Sequence, residues 1–104
     1  MRIVIDYAGH LIRLTDERMA HILEHPEMVG METAIEKTLL EPECVIRSLV
    51  DPASGLYYRY FYKTKVGDKF LCVVVKFQNR DAFVLTAYLT DRIKKGDSLW
   101  DAKP

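Results

Sequence analysis

Histidine is the side chain that titrates near neutral pH without help, and two of the three in this sequence stand four residues apart in His21-Ile22-Leu23-Glu24-His25. The spacing matches HxxEH, in which two imidazoles one helical turn apart ligate zinc and a carboxylate acts as base. Such sites take a third ligand from a separate helix in a larger body, and here Pro26 truncates the helix at the second histidine, so no metal is expected. At about 100° per residue, Arg18, His21 and His25 share a helix face bordering Ile22. That face reads either as a solvated surface or as a cationic acid–base edge.

A second group of candidates lies in strand-like runs. Alternation puts Cys72, Val74 and Lys76 on one face of KFLCVVVKF, and Thr86, Tyr88 and Thr90 on one face of AFVLTAYLT. A lysine between Val75 and Phe77 is unusual, because charged side chains avoid closed cores, so its face is expected to be open. If the two sets share a face, an ammonium, two hydroxyls and a phenol meet there. In YYRYFYK, Arg59 and Lys63 alternate with Tyr58, Tyr60 and Tyr62, and Arg47 on the preceding run could join the Arg59 side. Interleaved rings and cations suit RNA, where bases stack and guanidinium holds phosphate. Tyrosine is also simply a good strand residue.

Composition narrows the field further. Lys+Arg and Asp+Glu are 15 each, so no net field draws a polyanion to the whole molecule, and any nucleic-acid contact must be a local patch. Cys44 and Cys72 are the only cysteines and have no metal-type partner nearby; both are read as buried free thiols, which fits a reducing cytoplasm. Asp6, His10 and Arg13 interrupt the N-terminal apolar stretch, so it lacks the continuous core of a signal peptide, and no run is long enough to span a membrane. There is no phosphate-cradling glycine loop, nucleophile elbow or calcium loop, and no cofactor is expected.

The elements that must position these residues follow from periodicity. Residues 1–14 read as a β-ribbon turning at Ala8-Gly9-His10. Residues 15–41 read as two amphipathic helices. The first is capped by Thr15, runs about three turns and stops before Pro26. The second carries Met31, Ala34, Ile35, Thr38 and Leu39 on its apolar face. From 43 to 90 the period becomes two, with short turns that permit only an antiparallel meander of three to four strands. LCVVV, apolar on both faces, belongs at the centre. A charged tail, 91–104, is pinned by Leu99 and Trp100. The expectation is one two-layer α+β domain over 1–104, in the order ββααββββ.

The segments TDERMAHILEHPEM, AIEKTLLEPECVIRS, YYRYFYK, KFLCVVVK and FVLTAYLTDRIKKGDSLW resemble a widespread group of small bacterial and phage-associated proteins, over about Ile12 to Trp100. That group is similar in turn to the barnase, EndoU, colicin and RelE RNases. The resemblance implies metal-independent transesterification leaving 2′,3′-cyclic phosphate, in toxin fashion and with a protein inhibitor as partner. On this sequence it puts His21 as base or acid, Lys76, Thr86 and Tyr88 beside it, and Arg47, Arg59, Lys63 and His25 on the RNA. Toxins of this kind are typically basic and this chain is neutral. The competing expectation is a noncatalytic binding or assembly module, homodimeric through the Tyr-rich strand.

Overall fold

The computed structural model describes residues 1–103, so Pro104, the last residue of the expected tail, lies outside it. Period-two patterning and short turns produce seven strands: β1 (Arg2–Ile5), β2 (Leu11–Leu14), β3 (Cys44–Arg47), β4 (Ser54–Thr64), β5 (Gly67–Gln78), β6 (Asp81–Thr90) and β7 (Ser98–Asp101). They form one sheet in the order β1-β2-β6-β5-β4-β3-β7. The meander β3 to β6 is antiparallel throughout, and β5 is the central strand of the whole sheet, as its two apolar faces require.

Three features depart from the expected ββααββββ order. The N-terminal ribbon is not separate: β2 lies parallel to β6, with Arg13 opposite Phe83. The tail contributes a strand, β7, antiparallel to β3. The first helix is shorter than three turns: α1 spans Asp16–Leu23, and Pro26–Met28 forms a separate 3-10 turn. Thr15 does cap α1, its hydroxyl accepting from the Arg18 amide at 3.1 Å. The second helix, α2, spans Glu32–Leu40.

Both helices cover one face of the sheet, α1 over β6 and α2 over β5, β4 and β1. Ile22, Ile35 and Leu39 meet Val45, Tyr57, Leu71, Val73, Val75 and Val84 there, all but fully buried. Each such side chain contributes roughly 1.5–3 kcal/mol by leaving water.

The opposite face is not the open surface the sequence suggests. Leu56, Tyr58 and Cys72 form a smaller buried cluster on it, flanked by Cys44, Ile46, Phe70, Val74 and Tyr88. The connection from β6 to β7 crosses this cluster, its Lys94 amide donating to the Tyr58 hydroxyl at 3.1 Å and the Lys94 ammonium lying 5.7 Å from the Tyr88 ring centre. Gly96 permits the crossing, because a Cβ there would collide with the Arg47 carbonyl and the Ile46 side chain. A bulge in β6 leaves Leu85 without a partner on β5, since Val75 faces Val84 and Val74 faces Thr86. Among the described residues no helix is long and apolar enough to cross a membrane.

Candidate functional site

The register answers which expected site residues meet. Thr86 lies opposite Val74 and Tyr88 opposite Cys72, so Lys76, Thr86 and Tyr88 do share a face of the sheet. Lys76, however, is committed: its ammonium pairs with Asp51 Oδ2 at 2.5 Å, and Ser54 Oγ donates to the same oxygen at 2.8 Å. Those two bonds, Lys76 first, hold the Asp51 carboxyl below its ordinary range. This pair accounts for the charge inside a strand, for it ties the β3–β4 loop to the sheet. Tyr88 is half-buried, and its hydroxyl has no hydrogen-bond partner among the described residues.

His21 and His25 are on the other side of the molecule. Both are exposed, each 3.8 Å from a carboxylate, Glu24 and Glu27 respectively. Because α1 ends at Leu23, His25 has extended backbone and the HxxEH residues do not occupy one helix. Among the described residues no group of three potential ligands is placed to hold a metal. Arg59 donates to the Glu41 carbonyl at 2.6 Å, closing the C-terminal end of α2. Arg47 faces Gly55, whereas the far end of β3, Cys44, faces Tyr58, so Arg47 and Arg59 do not form a joint patch. Lys63 is exposed in the bulged end of β4, with φ of 55°. His21, Arg59, Lys76 and Thr86 therefore do not converge. Tyr57 and Tyr58 are buried on opposite faces, which leaves Tyr62 as the exposed end of the Tyr-rich strand. That strand has neighbours on both sides, and the sheet's free edges belong to β1 and β7.

A different histidine is built into a site. The loop Asp6 to His10 closes β1 onto β2, with Gly9 at φ 86° making the turn. Asp6 points inward from it and is 2% exposed. A buried carboxylate must be compensated, and this one is: Oδ1 accepts the amides of Ala8 and His10 at 3.0 and 2.8 Å, and Oδ2 accepts Tyr57 Oη at 2.5 Å and His10 Nδ1 at 2.9 Å. Burial first, then this carboxylate, keeps the Tyr57 phenol far above its usual range and therefore a donor. A carboxylate only accepts, so the bond puts a proton on His10 Nδ1, and in the neutral ring that tautomer leaves Nε2 as the acceptor.

His10, whose side chain is half exposed, edges against Phe77 with ring centres 5.3 Å apart. It lines two cavities. One, about 490 Å³, is bounded also by Leu11, Phe77, Gln78, Asn79, Arg80, Asp81 and Ala82; the other, about 340 Å³, by Tyr7, Val45, Tyr57, Phe77 and Leu99. In the sequence Asp6 and His10 stand out as polar residues interrupting an apolar stretch, His10 also as part of the ribbon's turn. The usable signal was there: a carboxylate inside a strand pattern needs donors, and a histidine four residues on across a glycine turn can supply one.

Comparison with protein-family models, curated proteins and solved structures gave no match.

Proposed function

We propose that this protein is a small metal-independent RNase whose acid–base group is His10 rather than a helix histidine. The observation that carries the reading is the His10 imidazole fixed by a fully buried carboxylate at the mouth of a ligand-sized cavity. A positioned carboxylate sets the imidazole's tautomer and stabilises the imidazolium that forms when Nε2 takes a proton. In cleavage, Nε2 accepts the 2′-hydroxyl proton as that oxygen bonds to phosphorus and the bond to the 5′ oxygen breaks. The departing oxygen is protonated from water, which reaches this open cavity, and the products carry 2′,3′-cyclic phosphate and 5′-hydroxyl ends.

RNA incubated with the full chain in EDTA should be cut to those ends, with at least a hundredfold loss in His10→Ala and little change in His21→Ala. Loss in His21→Ala with activity retained in His10→Ala would move the chemistry to the helix. Uncut RNA at every pH, together with association that Ile3→Lys abolishes in sedimentation, would replace the enzyme with an assembly module. The exposed Ile3, Ile5 and Leu11 beside the free β1 edge favour that second reading.

A further inference from the structure

The hairpin joining β5 to β6 turns on two residues, Asn79 and Arg80, with φ of 51° and 63°. Both central positions of such a turn require positive φ, and the second is ordinarily glycine. Asparagine tolerates the conformation, whereas a long side chain adopts it at a cost. A strained residue that a glycine would relieve is a reason to ask what its side chain touches. Arg80 lines the larger His10 cavity.

The charges around that cavity are unevenly spent. Asp81 is neutralised by Arg13, whose Nε and Nη2 reach its two oxygens at 3.0 and 2.5 Å. The charge of Asp6 is spread over its four donors. Arg80 makes no ion pair among the described residues. The cavity is therefore lined by an arginine with no ion pair among the described residues, by His10 and by the amide-bearing residues Gln78 and Asn79, with Phe77 and Leu11 as its apolar members. A guanidinium fork matches two oxygens of a phosphoryl group, amides add donors, and an aromatic wall suits a base or sugar.

We propose that this cavity is a phosphoryl-binding site with Arg80 as its cationic ligand, placing a phosphodiester beside His10. It rests on the assignment of His10 for its role in cleavage, but not for binding. The test is a ¹H–¹⁵N and histidine ¹³C titration of the full chain with inorganic phosphate and with a 2′-deoxy dinucleoside monophosphate, neither of which can be cleaved. Saturable shifts should appear at His10 and at the amides from Gln78 to Ala82, larger for the dinucleotide. Arg80→Gly should weaken binding at least tenfold while raising the thermal midpoint, because the turn is relieved as the ligand is lost. Shifts centred elsewhere, no saturation, or unchanged affinity in Arg80→Gly would overturn the proposal. Binding lost in Arg80→Gly alongside RNA cleavage retained in His10→Ala would keep the site and discard the catalytic reading.

Discussion

At the residue scale, the decisive group is a carboxylate that has given up water. Asp6 receives four donors, and one of them, Tyr57 Oη, comes from 51 residues away. Removing that hydroxyl leaves a buried anion one bond short, and hydrogen bonds to charged groups contribute about 1.5–3 kcal/mol. Tyr57→Phe should therefore lose that much stability in urea unfolding, although the ring still fills its space. The distance in sequence also explains why the site was only half legible. Asp6, His10 and the oddly placed Lys76 all stand out in the chain as polar groups among apolar ones. Their partners, Tyr57 and Asp51, do not, because nothing in a strand pattern marks which hydroxyl or loop carboxylate will arrive opposite. His21 and His25 were visible for the opposite reason, a local spacing, and local spacing says nothing about what an exposed helix face meets.

At the element scale, strands β3 to β6 and α2 were readable because each carries its own period, and the central place of β5 followed from LCVVV. β7 was not, because four residues in a charged tail have no period to show. The parallel contact of β2 with β6 was hidden too, as it pairs segments that only the finished core brings together. The β6–β7 connection shows how little sequence such a feature needs. Its lysines look like solvated tail, yet Lys94 covers Tyr58 and Tyr88, and Gly96 lets the chain lie on the Arg47 backbone. Gly96→Ala should force that crossing outward at a cost of about 1–3 kcal/mol. The check is hydrogen exchange at the Arg47 amide, which donates to the Asp97 carbonyl at 2.8 Å and should lose protection before the β4–β5 ladder does.

At the scale of the whole molecule, the balanced charge conceals an acid sensitivity. Asp51 and Asp81 are both held below the ordinary carboxylate value of 3.8, chiefly by hydrogen bonds from Lys76 and Arg13. A carboxyl whose folded pKa is depressed binds fewer protons folded than unfolded, so its stabilisation is complete above 3.8 and is lost as pH falls through the lower folded value. Thermal midpoints should be flat above about pH 5 and decline below about pH 4. The variant carrying both Arg13→Met and Lys76→Met should start lower at neutral pH and decline less. Both pairs are partly exposed, and added salt should flatten the wild-type curve. The Arg13–Asp81 pair has a temporal side as well. Its partners are 68 residues apart, at the parallel contact of β2 with β6. On a ribosome, Asp6 and His10 emerge well ahead of Phe77, Arg80 and Asp81, which lie far later in the chain. The cavity cannot exist before those residues arrive, so a nascent chain carries His10 long before it has the walls of the cavity that His10 lines.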